Sequence, residues 1–313
     1  MRIRISIISL LLLFCLTACS SGLKIIHTGQ DKPWAGPYVS GMNGVENLTF
    51  DGAGNMFVTG LDGMIYRVVP TDDPFRGKIA DKKKIGKMCL DVEAGPDGML
   101  YAGVMDEKGI SRICRISMDF TSVTPISSPV QGLNGMAQDR SGYLYIASSN
   151  LSFFNPKGCV LRAKIGDDNS FINPEVFIET GGITNGLAFS PDESKLYVTN
   201  LNGVLMAVDM KTREKKVLYS PGKLQIFDDL DTAADGTVWL CFNSEMAIIS
   251  VKDGLVTAGY RTGDLKAPSS CKFGKGPGFR PDFLYITEFG MKGRSLKMNG
   301  RGVFVMPVPE IPE

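Results

Sequence analysis

The chain has 313 residues, with 34 basic side chains nearly cancelling 33 acidic ones. That balance argues against a nucleic-acid-binding protein, which needs a clustered basic face. The 36 glycines and 17 prolines, spread between short apolar runs, suit an all-β chain rich in turns.

The chain begins with a targeting pattern. Arg2 and Arg4 precede a mostly apolar run from Ile7 to Ala18, too short to span a bilayer comfortably. Its end, Leu16-Thr17-Ala18-Cys19, resembles a bacterial lipobox. This implies cleavage after residue 18 and a lipid on Cys19, which would hold the exported protein at the cell envelope. Because Ser20 follows the cysteine, the outer membrane is the expected destination in a Gram-negative cell. The alternatives are an ordinary cleaved signal peptide and an uncleaved anchor. Residues 19–45 read as a tether and lead-in, with Leu23–Ile26 as a candidate strand and Pro33, Gly36, Pro37, Gly41 and Gly44 marking a loop.

From Glu46 onward one pattern recurs: a polar start, a short apolar run, a turn and a second β-rich run. It is clearest in Asn185-Gly186-Leu187-Ala188-Phe189, which leads through Ser190-Pro191-Asp192 to Leu196-Tyr197-Val198-Thr199. The copies start near 46, 88, 134, 185, 228 and 269, at spacings of 42, 46, 51, 43 and 41 residues. Hairpins repeating at this period predict a six-bladed β-propeller of four-stranded antiparallel blades, in one domain over residues 46–313. Third strands are expected at Met64–Val68, Ile110–Ile116, Cys159–Lys164, Val204–Val208, Met246–Val251 and Gly302–Met306. The acids Asp62, Asp91, Asp97, Asp139 and Asp235 read as turn or strand-end residues. Cys89, Cys114, Cys159, Cys241 and Cys271 are odd in number and lack a CxxC. They read as small buried side chains, with one disulfide possible.

First strands of a propeller line its channel, so equivalent positions converge on the axis. This register puts Glu46, Met88, Asn134, Asn185, Asp228 and Ser269 at one level. Two carboxylates at close range repel each other unless a proton or a cation intervenes. Mixed carboxylate and amide oxygens suit a hard cation such as Ca²⁺, with Zn²⁺, Mn²⁺ or Mg²⁺ as other candidates. The bland reading is a set of polar strand starts facing channel water. Ser269 has no histidine partner, so a serine nucleophile is not expected.

Asn185-Gly186-Leu187-Ala188-Phe189-Ser190-Pro191-Asp192 and Ser270-Cys271-Lys272-Phe273-Gly274 resemble segments of the senescence marker protein/gluconolactonase family of calcium-dependent six-bladed propellers. The resemblance spans nearly the whole chain after residue 19. It implies that Glu46, Asn185 and Asp228 hold the metal and that Asn134 serves in the active site. Asp228-Asp229 is similar to an Asp-Asn pair in paraoxonase-like and strictosidine-synthase-like propellers. Two departures stand out. Asn47-Leu48-Thr49-Phe50 follows Glu46 where the family has Gly-Pro and an aromatic. Gly132 stands where sugar-lactone hydrolases often carry Arg, which weakens the case for a sugar substrate. His27 is the one histidine, so a paraoxonase-type histidine dyad is ruled out and proton transfer falls to a carboxylate or metal-bound water.

The leading expectation is a monomeric Ca²⁺-dependent hydrolase of a small lactone or ester. Asp228 acts as base or nucleophile, Glu46 and Asn185 hold the ion, Asn134 holds the ion or orients substrate, and Asp229 is a second-choice participant. The competing expectation is a non-catalytic propeller that binds a small ligand or a protein. A strictosidine-synthase-like condensing enzyme is a third, although no acidic amine-binding residue can be placed.

Overall fold

The computed structural model describes residues 36–150, 156–221, 225–260, 265–290 and 300–308. The expected lipidation site Cys19, the signal segment and His27 lie outside the described residues. Six four-stranded antiparallel sheets form a six-bladed β-propeller. Among the described residues the one helical segment is a 3₁₀ turn, Asn243–Glu245.

The innermost strands are Val45–Phe50, Met88–Ala94, Met136–Gln138, Thr184–Phe189, Phe227–Thr232 and Pro268–Phe273. The second strands are Met56–Gly60, Met99–Met105, Leu144–Ser149, Lys195–Asn200, Val238–Phe242 and Phe283–Glu288. Each carries at least one aromatic and one β-branched residue. Four of them are buried along their whole length, because both faces pack against neighbouring blades. Outer strands behave differently. Gly77–Lys84 alternates half-buried and exposed residues and carries Lys82, Lys83 and Lys84, charges that keep an open edge from pairing with another chain.

The blade count and register match the repeat, with two corrections. Gly36–Ser40, read as lead-in loop, is the outer strand of blade six, pairing antiparallel with Gly302–Pro307 through Gly36↔Val305 and Ser40↔Gly302. An edge strand tolerates Pro37 because its outward N–H is not needed. The pairing joins the two ends of the described chain and closes the ring. The second correction concerns blade two. Val92 faces Ala102 as Leu48 faces Val58, so the residue equivalent to Glu46 is Leu90, not Met88.

Turn acids behave as expected at four positions. Asp62, Asp97, Asp139 and Asp235 each accept a backbone N–H from a residue two or four positions on. Asp91 does not belong with them: it is buried in the innermost strand of blade two. The five described cysteines are free thiols, four of them buried.

Candidate functional site

The site is built on a recurring bulge. In blades one, four, five and six the innermost strand slips register between Val45 and Leu48, Thr184 and Leu187, Phe227 and Leu230, and Pro268 and Cys271. Two residues therefore oppose one at Glu46-Asn47, Asn185-Gly186, Asp228-Asp229 and Ser269-Ser270. A bulge breaks the period of two, so consecutive side chains are re-aimed. Asn134-Gly135 holds the corresponding place in blade three, where the Asn134 N–H donates to the Ala147 carbonyl at 3.2 Å.

Threonines on the second strands hold these bulges. The hydroxyls of Thr59, Thr199 and Thr287 accept the N–H of Asn47, Gly186 and Ser270 at 3.1, 2.9 and 2.8 Å. Two of them donate onward to the next blade. Thr199 donates to the Asp228 carbonyl at 2.6 Å and Thr287 to the Glu46 carbonyl at 2.9 Å. All three threonines are fully buried, so the backbones of the two ring acids are fixed by bonds shielded from water.

Glu46, Asn185 and Asp228 are all buried. Asn185 Nδ2 donates to Asp228 Oδ1 at 2.9 Å and to the Phe227 carbonyl at 3.2 Å, so its Oδ1 is the atom left to meet a ligand. Asn243 Nδ2 donates to Asp228 Oδ2 at 3.1 Å and to the Pro268 carbonyl at 3.3 Å. Asn243, in the 3₁₀ turn after the second strand of blade five, was missed from the sequence. It lies outside the inner-strand register, and its signal was only a polar residue directly after the buried strand Val238–Phe242.

Burial, and then the neighbouring Asp229, push the Asp228 carboxyl up to about 8. Burial also holds Glu46 well above the usual carboxylate range, followed by repulsion from Asp228, Asp91 and Asp229. Glu46 Oε2 is buried with no partner among the described residues. Two crowded acids, one with an orphaned oxygen, next to a free amide oxygen fit a hard divalent cation. Among the described residues no three acidic, histidine or cysteine side chains converge closely enough to cage a metal by themselves. Further ligands would have to come from amides and water. Asn134 flanks this group at partial exposure; the Gly135 N–H beside it donates to the Asn185 carbonyl at 3.1 Å.

The remaining candidates have other occupations. Ser269 Oγ lies 3.2 Å from the Val45 carbonyl and 2.9 Å from Thr287 Oγ1. Asp229 Oδ2 accepts Ser270 Oγ at 2.8 Å and pairs with Lys272 Nζ at 3.1 Å. Asp229 is pinned by these two contacts, while Asp228 is held by Asn185 and Asn243.

The family model described as SMP-30/Gluconolactonase/LRE-like region matches residues 118–289. No curated protein matches the chain. Among solved structures, regucalcin from Agrobacterium tumefaciens, described as a calcium-binding protein, has a TM-score of 0.66 at 17% identity, covering 87% of this chain and 91% of its own. A luciferin-regenerating enzyme has 0.65 at 16%, covering 88% and 94%. A gluconolactonase from Xanthomonas campestris has 0.64 at 16%, covering 86% and 88%. At these identities the likeness is one of fold.

Proposed function

The chain belongs to the SMP-30/gluconolactonase/LRE-like family, and on that premise we propose that it is a divalent-cation-dependent hydrolase of a lactone or related ester, with Ca²⁺ as the cation. The observation that carries the proposal is the pair Glu46 and Asp228, buried together with Asn185 and leaving Glu46 Oε2 without a partner. Glu46, Asn185 and Asp228 would hold the ion. When bound it would supply a Lewis acid for a carbonyl oxygen and for the oxyanion that follows.

The residues of the chain divide the remaining work. Asp228 takes the proton from the attacking water. Burial raises its carboxyl above the usual carboxylate range in the metal-free chain; a bound cation would keep it ionised, as a base must be. Asn243 and Asn185 hold one oxygen each of that carboxylate, which fixes its orientation. Asn134, partly exposed at the same level, orients the substrate. The channel takes a small molecule, the domain acts as a monomer, and the lipid expected on Cys19 holds it at the envelope.

The test pairs metal analysis of the full chain with a lactone and aryl-ester panel, run with Ca²⁺ and with EDTA. Because Asp228 is also placed as a ligand, its variant is assayed at Ca²⁺ raised until metal analysis shows the ion bound; Ca²⁺-dependent turnover that is lost in Asp228→Ala under that condition is the expected result. Turnover that survives Asp228→Ala or EDTA refutes the mechanism. A silent panel alongside a bound ion would favour a non-catalytic ligand-binding propeller.

A further inference from the structure

Below the ring lies a second charged layer. Glu93, Asp231 and Lys272 share one register, each opposite the large aromatic of its second strand: Tyr101, Trp239 and Tyr285. In blades one, three and four that register holds Thr49, Ala137 and Ala188. One step nearer the ring lie Asp91 and Asp229, two residues before Glu93 and Asp231. The four acids thus come from blades two and five, which stand opposite each other in a six-bladed ring.

Lys272 sits among them. Its side chain is 12% exposed, and its Nζ meets Asp229 Oδ2 at 3.1 Å and donates to the Leu230 carbonyl at 3.0 Å. Burial works against its ammonium, but Asp229, Glu93, Asp231 and Asp91 outweigh it and hold the lysine above its ordinary value. The acids are only partly satisfied. Asp231 Oδ2 accepts the Phe273 N–H at 2.8 Å and Asp91 Oδ1 the Val92 N–H at 2.8 Å. Asp91 Oδ2 is buried and has no partner among the described residues. Lys272 is the buried ammonium among the four carboxylates and touches one of them, Asp229, while the exposed Lys275 acts on Glu93 and Asp231 from farther away; the acids still outnumber the cations, which resembles an ion site more than an ion pair.

We propose that this lower layer is a second cation seat in the channel and that Lys272 is the tethered cation that fills it. The upper ring then remains the place for a free metal ion. Lys272 also positions the ring from below, because it pins Asp229 as the neighbour of Asp228. This goes beyond the hydrolase reading and does not need the ring to be catalytic.

The experiment counts Ca²⁺ ions on the full chain. Metal analysis and calorimetric titration with Ca²⁺ alone are run on wild type, Lys272→Ala, Lys272→Met and the double variant Lys272→Ala/Asp91→Asn. Removing one partner of a buried pair strands the acids, so Lys272→Ala should lose several degrees of Tm in EDTA. It should bind one more Ca²⁺ per chain than wild type, and that ion should recover the lost degrees. Lys272→Met fills the space without charge and should gain no ion. The double variant should return to the wild-type count. An unchanged ion count in Lys272→Ala overturns the proposal, and so does a Lys272→Ala chain that Ca²⁺ cannot restore to a folded state. The two readings fail separately. Zero ions in wild type and one in Lys272→Ala would keep the lower seat and remove the ring metal. One ion in each would do the reverse.

Discussion

Glu46→Gln should stabilise the metal-free protein and destabilise the calcium-loaded one. The carboxylate is buried, one of its oxygens has no partner, and Asp228, Asp91 and Asp229 press on it. A buried unsatisfied polar group costs about 1–3 kcal/mol, and an amide in its place can donate toward Asp228. The sign follows from the raised carboxyl. Near pH 4 both folded and unfolded chains carry the proton and nothing is lost. As the pH rises the unfolded chain ionises first, so the acid lowers stability until the pH passes its folded value. The gain from Gln is therefore absent near pH 4 and reaches about 1–3 kcal/mol by pH 8, a few degrees of Tm. Calcium reverses the order. At free Ca²⁺ of 100 times its Kd, wild type gains ~2.7 kcal/mol. Loss of a charged ligand should weaken binding at least as much as loss of a supporting contact, about 10–100-fold. A variant 100-fold weaker gains only ~0.4 kcal/mol at the same Ca²⁺. Thermal melts at pH 4 and pH 8, in EDTA and in Ca²⁺, read both effects. A variant less stable than wild type in EDTA at pH 8, or one stabilised by Ca²⁺ as much as wild type, refutes the reasoning.

The metal-free wild type should itself lose stability from pH 4 to pH 8, since burial raises Glu93 to about 7 and Asp228 to about 8; a Tm in EDTA that is flat or rises across that range would contradict it. Thr287→Val strands the Ser270 N–H and the Glu46 carbonyl and should cost about 1–3 kcal/mol, read as a lower urea midpoint. Gly186→Ala places a Cβ 2.6 Å from Asp229 Cα, so the Asp228-Asp229 backbone must shift; Ca²⁺ affinity should fall about tenfold or more by titration, comparable to losing a supporting contact, and an unchanged Kd would show that the bulge does not position the ion.

The blades were legible because each hairpin is a local event. An Asp-bearing turn such as Asp97-Gly98 sits between two apolar runs whether or not the ring closes. The closing strand was not legible, because what makes Gly36–Ser40 a strand is Gly302–Pro307 at the other end of the chain. Nothing within one repeat specifies that pairing, and locally Gly36, Pro37 and Gly41 read as a loop. The two-residue offset at Met88 has a different cause. Met88-Cys89-Leu90 is apolar throughout, so the run has no polar marker to set its register, and only the partner Ala102 reveals it.

The shared register of Glu46, Asn185 and Asp228 was legible because the repeat places each at the same step of its inner strand, where the structure has a bulge and buries all three. The lower layer was not legible in this way, for a physical reason. A Lys in a strand ordinarily points to water, and Asp91 and Glu93 resemble a polar strand end. Their meaning appears only when blades two and five are opposed across the channel and Lys272 is placed between them. Six four-stranded blades surround the channel, yet the acids gather on blades one, two and five, where low-dielectric walls make uncompensated charge expensive. Such an arrangement folds only if cations or protons meet the charge. Lys272 meets it below, and above it the orphaned oxygen of Glu46 is the position where charge remains to be met.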